Sequence, residues 1–309
     1  MNLAHARSKA AAFAFLVACT FPVALAHADE DEEAKPHELK LLAKALEGQE
    51  ERLVYDVSRQ VAGAGGRSDS IDLTILRKIE AVDDGLASRE QLTIEKLLYN
   101  GEETKLPITS VPVIRPNKSR QATIAPGGPQ VQQEDPDDAD GADGEGIAML
   151  RRDPDGLARA LAPKGAKKKG DEWTLDVGSL LLLFGPAKAK VVAEGSSARA
   201  KLEVWTKADA TATVEISIEA KIRYTRGDDE KTIHSLKLTG TLKGPADGSA
   251  PPSKEQLTLV AGTEGGDSTR TVIASLERTL VSPGKEPEAP GEPEKKPGEK
   301  KKDKDEGPF

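Results

Sequence analysis

Residues 214–224, VEISIEAKIRY, decide the fold class. Val214, Ile216, Ile218, Ala220, Ile222 and Tyr224 fall on one side of an extended chain, and Glu215, Ser217, Glu219, Lys221 and Arg223 fall on the other. Such strict alternation is the mark of a strand with one face in a core and one in water. Arg226-Gly227-Asp228-Asp229 then turns the chain, and His234, Leu236, Leu238 and Leu242 continue the pattern. Further strands are expected at residues 257–260 and 271–280.

The earlier part of the chain repeats the pattern. Leu53, Tyr55 and Val57 alternate with Val54, Asp56 and Ser58, and Ile71, Leu73 and Ile75 alternate with Asp72 and Thr74. Asp83-Asp84-Gly85 predicts a turn, residues 92–96 a third strand, and Asn100-Gly101 after Tyr99 a tight hairpin. A fourth strand towards Ile108 and Val111 carries Pro107 and Pro112, which suit a sheet edge. Leu39, Leu42 and Leu46 sit at helical spacing between Pro36 and Gly48, which predicts a short amphipathic helix over 36–46. A second short helix is expected over 157–161. Strands joined by Gly- and Asp-rich turns, without alternating helices, predict a mainly β protein of antiparallel meanders, either a β-sandwich or a curved half-barrel. The two halves are read either as separate domains or as contributors to one architecture.

The N-terminus reads as an export signal over residues 1–28. Arg7 and Lys9 precede an apolar run that is too short for a spanning helix with proper flanks, and Ala26-His27-Ala28 precedes an acidic stretch that opens at Asp29. Cleavage after Ala28 makes Asp29 the first mature residue. The alternative is Leu16-Val17-Ala18-Cys19, which resembles a bacterial lipobox, with acylation at Cys19 and an envelope anchor. The protein is therefore expected to be exported, periplasmic or extracellular, with membrane attachment only if Cys19 is lipidated. Loss of residues 1–28 removes two bases and no acid, moving the net charge from -8 to -10. That field argues against nucleic-acid partners. It also removes the single cysteine, and thiol chemistry with it.

Two segments have compositions unable to fill a core. Residues 125–147 are Gly, Pro, Gln and acids with few large apolar side chains, and predict a disordered linker. Residues 282–309 mix Pro, Lys and acids and predict an extended charged tail. The β regions are thus bounded as 29–124 and 148–281. In the linker, aligning Gly141 with the glycine of a calcium loop puts Pro136 and Ile147 at ligand positions, so that register fails and no metal site is assigned.

The run Leu161-Ala162-Pro163-Lys164-Gly165-Ala166-Lys167-Lys168-Lys169-Gly170-Asp171-Glu172-Trp173 resembles the Leu-Pro, spacer, Gly-Asp-x-Trp entry to the second half of an uncharacterised family of secreted β-rich bacterial proteins. Residues 48–55, GQEERLVY, and 82–87, VDDGLA, are similar to that family's opening strand and first turn, while Ala162 departs from the pattern as an insertion. The resemblance implies the β-rich fold and no activity, because the family has none assigned.

Chemistry-bearing motifs are sparse. After the signal only His37 and His234 remain, in different halves, and no nucleophile elbow, phosphate loop, dinucleotide fingerprint or metalloprotease motif occurs. No catalytic residue and no cofactor is assigned. His37 suits an exposed helix start, and His234 shares a face with Leu236 and Leu238. Lys164, Lys167, Lys168 and Lys169 suit a solvated loop or an anion contact, and the run Leu180–Phe184 suits a buried strand or helix. Trp173 is expected to anchor the core. Trp205 alternates with Val204 and falls on the polar face, so either a loop or the N-terminal helix covers it or it belongs to a binding surface. The mature chain holds too few aromatic rings for a sugar-stacking platform. The resulting expectation is a non-enzymatic binding or envelope protein with an unknown protein or apolar small-molecule partner. The alternatives are a carrier of an apolar ligand, of the lipoprotein-carrier kind, and a carboxylate-based hydrolase.

Overall fold

The computed structural model describes residues 35–63, 66–104, 109–115, 123–124, 153–184, 189–206, 210–224, 232–263 and 269–285. The strands are β1 (Gln49–Ala62), β2 (Arg67–Asp83), β3 (Leu86–Tyr99), β4 (Glu102–Glu103), β5 (Ser110–Ile114) and β6 (Thr123–Ile124) in the first half. The second half holds α1 (Gly156–Leu161), β7 (Glu172–Thr174), α2 (Val177–Phe184), β8 (Ala189–Thr206), β9 (Thr211–Tyr224), β10 (His234–Pro245), β11 (Lys254–Thr263) and β12 (Thr269–Pro283).

All the strands join one antiparallel sheet in the order β6-β5-β3-β2-β1-β12-β11-β10-β9-β8-β7, with β4 paired to β3. The sheet does not close into a barrel, and this is the curved half-barrel alternative, not the sandwich. The two halves are therefore two wings of one sheet, joined where β1 pairs with β12 from Gln49–Pro283 to Ala62–Thr269. β12 runs to Pro283, so regular structure extends into the first residues that composition assigned to the tail. The signal cleavage residues Ala28 and Asp29, Cys19 and the acidic 125–147 segment lie outside the described residues.

Turn chemistry fixes the hairpins. Asp84 and Gly85 have φ of 51° and 75°, and Asn100 and Gly101 have 52° and 81°, the paired left-handed residues that match the twist of flanking strands. After Asn100-Gly101 the chain makes only the two-residue β4, and β5, with Pro112, instead pairs with the first half of β3. Near the middle of β10, Gly240 lies opposite Leu257; a Cβ there would run into the Gln256 carbonyl oxygen and approach Leu257 Cδ2 at 2.7 Å. Only glycine allows that close strand approach.

One face of the sheet is mostly apolar, and it forms two cores. The first-half core contains Leu53, Tyr55, Ile71, Leu73, Leu92 and Val113. The second-half core contains Val214, Ile216, Ile218 and Leu238 under Leu157 and Leu161 of α1 and Leu180 of α2. Residues 214–224 thus do what their alternation predicts, with the even-numbered side chains inside as far as Ile222.

Residues 36–46 are not a helix. They form an extended strap in which Leu39 and Leu41, two apart, are buried in the second-half core. Their backbone bonds go outward: His37 and Lys167 exchange a pair of 2.7 and 2.8 Å, Lys40 N–H donates to Ala246, and Ala45 N–H donates to Gly85. An isolated helix of that length is marginal in water, so the free apolar face of the sheet overrides the helical spacing. The strap crosses the end of the sheet that holds the β2–β3 and β10–β11 turns.

Candidate functional site

The pairing register stacks the inner face into rows across the strands. From the strap-covered end, one row is Leu73–Tyr55–Leu276–Glu255–Leu242, the next is Ile71–Val57–Ala274–Leu257, then Asp69–Arg59–Val272–Leu259, and last Arg67–Val61–Arg270–Ala261. These rows differ in burial. At the strap end Leu276, Arg278 and Glu255 are buried, whereas Val57, Ala274, Val272, Leu259 and Ala261 on the central strands β1, β12 and β11 are only half-buried. They form an apolar trough between the two cores, flanked by Ile71 on one side and Leu238 on the other.

Beyond the buried Tyr55–Leu276 row, the strap-covered end holds an ionic cluster. Arg77, 1 % exposed, reaches Glu51 at 2.9 Å, Glu90 at 2.5 Å and Asp155 at 2.9 Å. Arg115 holds the other oxygen of Glu90 at 2.7 Å. Arg278 donates to Asp155 at 2.7 Å and to the Pro154 carbonyl at 2.8 Å, and lies 3.8 Å from Glu51. Gln49 Nε2 donates to Glu51 at 2.6 Å. Three guanidinium groups meet three carboxylates, so the cluster is neutral as a unit, which is how burial of so many charges is tolerated. It ties β1, β2, β3, β5 and β12 to the turn that opens α1.

Electrostatics favour the charged forms of Asp155, Glu90, Arg77 and Arg278. Burial works to raise the Asp155 carboxyl, but Arg77 and Arg278 override it and leave the group well below the usual carboxylate range. Burial opposes ionisation of Glu90 too, and Arg77 and Arg115 still bring it below its ordinary value. Burial would lower Arg77, yet Asp155, Glu90 and Glu51 raise it well above normal. A general acid needs the opposite, a carboxyl raised towards neutrality.

The mouth of the trough carries a second charged group. Arg59 Nε donates to Asp69 at 2.6 Å, both largely buried. Arg67, 68 % exposed, lies 3.7 Å from the same carboxylate and donates to Tyr99 Oη at 3.1 Å. Arg270 is exposed in the neighbouring row.

The residues singled out in the sequence lie elsewhere. A bulge between Leu202 and Val204 shifts the register of β8, so Val204 is 43 % exposed and Trp205 pairs with Ala212 on the inner face. The polar-face placement of Trp205 is thereby corrected, since one extra residue reverses every later side chain. The ring packs against the second-half core and stacks on His37, with centroids 3.7 Å apart and planes 9° apart. The cover is the strap, not a helix. Trp173 packs half-buried against the same core, with Nε1 donating to the Leu161 carbonyl at 3.0 Å. Lys167 sits 5.6 Å above its ring, a cation–π contact for one member of the basic loop. His234 lies half-buried at the start of β10, opposite Ile222. None of these meets the ionic cluster.

Sequence reasoning passed over that cluster although the signal was there. Glu51 shares parity with Leu53 and Tyr55, Arg77 with Ile75 and Leu73, Glu90 with Leu92, and Arg278 with Leu276. Extending each apolar alternation by one step puts opposite charges on a single buried face. Among the described residues no cluster of three metal-ligating side chains occurs, and no helix is long and apolar enough to cross a membrane.

No protein-family model matches the chain, and no curated protein matches it. Among solved structures it is similar to lipovitellin, in a structure concerned with lipid–protein interactions, at 9 % identity and a TM-score of 0.35 over 76 % of this chain. The match spans 25 % of the lipovitellin chain. It is also similar to DynF from the dynemicin biosynthesis pathway of Micromonospora chersina, at 6 % identity and a TM-score of 0.22, covering 81 % of this chain and 87 % of that one. Likeness at this level leaves ligand and activity to the chain's own residues.

Proposed function

We propose that this is an exported, non-catalytic binding protein that carries an apolar ligand on the inner face of its sheet. The observation that carries the reading is the trough: Val57, Ala274, Val272 and Leu259 are aliphatic, face inward and are only half-buried, between two cores that are closed. A concave apolar surface left partly uncovered is the usual form of a small-molecule site. The buried Asp155 and Glu90 support a non-catalytic role, because arginines hold them below the usual carboxylate range in a neutral cluster that braces the strap-covered end. Export rests on Arg7, Lys9 and the Ala26-His27-Ala28 cleavage pattern.

Titration of the purified mature protein with Nile red tests the ligand class. Saturable, stoichiometric binding by a cooperatively folded protein is expected, and Ala274→Phe, which fills the trough, should abolish it. Non-saturating fluorescence, or binding unaffected by that variant, would reject the trough. Intact mass of the protein from its native host tests export, with Asp29 expected as the first residue. A chain retaining residues 1–28 would reject processing, and one starting at acylated Cys19 would place the carrier on an envelope membrane.

A further inference from the structure

We propose that the trough takes a single unbranched alkyl chain of medium length, and that Leu276 sets where its methyl end stops. The inference rests on the apolar-carrier reading and adds a limit on length. Tyr55, Leu276 and Glu255, side by side across β1, β12 and β11, are 1–3 % exposed, whereas Val57 and Ala274 in the adjoining row are only half-buried. The trough therefore ends abruptly against a closed wall. Behind that wall lies Arg278, which donates to Asp155 at 2.7 Å and to the Pro154 carbonyl at 2.8 Å. An alkyl chain pushed past Leu276 would have to separate buried ionic partners, and it would gain no apolar contact to offset the cost.

The lining favours one chain. Val57, Ala274 and Leu257 are neighbours across the three central strands, and the larger side chains stand on either side of Ala274, so the low line of the surface follows β12. In the next row Val272 lies between Leu259 and Arg59, whose Nε donates to Asp69 at 2.6 Å. No aromatic ring among the described residues lies in these two rows to stack on a planar ligand. The aliphatic path along β12 runs from Ala274 to Arg270, four residues or about 13 Å of strand. An extended chain of tetrahedral carbons advances about 1.2 Å per bond, the spacing of a fully extended backbone, so that path holds about eleven carbons.

Isothermal titration of the full mature chain with n-alkanols from hexan-1-ol to tetradecan-1-ol tests the limit, since a constant uncharged head leaves length as the only variable. Affinity should tighten about twofold to fourfold with each added methylene and level off near undecan-1-ol. Ala274→Leu brings the wall forward by one row, about 7 Å, and should remove the gain from every carbon beyond about the sixth. Leu276→Ala opens the wall and should move the levelling point to a longer alcohol. Ala274 is half-buried, so its variant should fold, which circular dichroism checks, and it decides the matter if the Leu276 variant does not fold. Ile273→Ala, on the same strand but 51 % exposed on the outer face, should leave the levelling point where it is. Affinity that climbs through the whole series, a levelling point that ignores Ala274→Leu, or Nile red binding without alcohol binding would overturn the single-chain limit while leaving the apolar carrier standing. Failure of both Nile red and the alcohols to bind would remove both.

Discussion

Replacing Arg77 by Met would test whether the buried ionic cluster behaves as one neutral unit. Met fills much of the volume of the arginine stem, so the change is mainly one of charge. The variant removes contacts to Glu51 at 2.9 Å, Glu90 at 2.5 Å and Asp155 at 2.9 Å, but Arg115 still holds Glu90 and Arg278 still holds Asp155. Glu51 keeps Gln49 at 2.6 Å and Arg278 at 3.8 Å. Three carboxylates then face two guanidinium groups, leaving one buried negative charge in excess, and breaking a buried pair in this way costs about 3–5 kcal/mol. Against a typical total of about 5–15 kcal/mol the loss is large. With a urea slope of about 2 kcal/mol per molar, the midpoint should fall by about 2 M. Arg77→Met/Glu51→Gln restores neutrality and should recover about 1–3 kcal/mol of the loss, the coupling expected of contacting residues. Equilibrium urea unfolding of the wild type, both single variants and the double variant closes the cycle. A single-variant loss below about 1 kcal/mol, or a double variant as costly as the two singles together, would refute the neutral-cluster account.

The same cluster sets the response to acid. Asp155 and Glu90 lie below their ordinary values in the folded protein, so their contribution is complete above the unfolded carboxylate values of about 3.9–4.3 and is lost as pH falls below them. Urea midpoints should therefore hold from pH 7 to about 5 and drop by pH 3, and a flat profile would contradict the pairing. Gly240→Ala places a methyl group against Gln256 and Leu257 and should cost about 1–3 kcal/mol, read as a lowered thermal midpoint. Leu39→Ala should cost about 2–5 kcal/mol if the strap is core; a change under 0.5 kcal/mol, the level of an ordinary surface substitution, would make the strap peripheral.

How much was legible depended on whether one rule acted alone. Residues 214–224 and 71–75 read correctly because strand period and burial coincide, and Asp84-Gly85 and Asn100-Gly101 read correctly because each turn needs left-handed backbone at both positions. Residues 157–161 likewise form the helix expected there. The strap was misread because Leu39, Leu42 and Leu46 satisfy a helical period while the sheet requires Leu39 and Leu41. Trp205 was misplaced because no residue at 202–204 announces a bulge. The trough depends on pairing β12 with β1, a long-range choice that local alternation leaves open. The buried charged cluster was visible as parity, but charge is ordinarily taken as a sign of solvent.

That central pairing also dictates when the fold can complete. β1 is the first strand in the described chain and β12 the last, yet they are neighbours over their full lengths. During synthesis, β1 to β6 emerge with the open edge of β1 waiting for a partner made last. Loop closure on that scale is slow, and an unpaired strand edge meanwhile recruits other chains. The finished trough is therefore obtained through a vulnerable interval, in which a holding chaperone that shields β1 should raise yield more than any change to the mature surface.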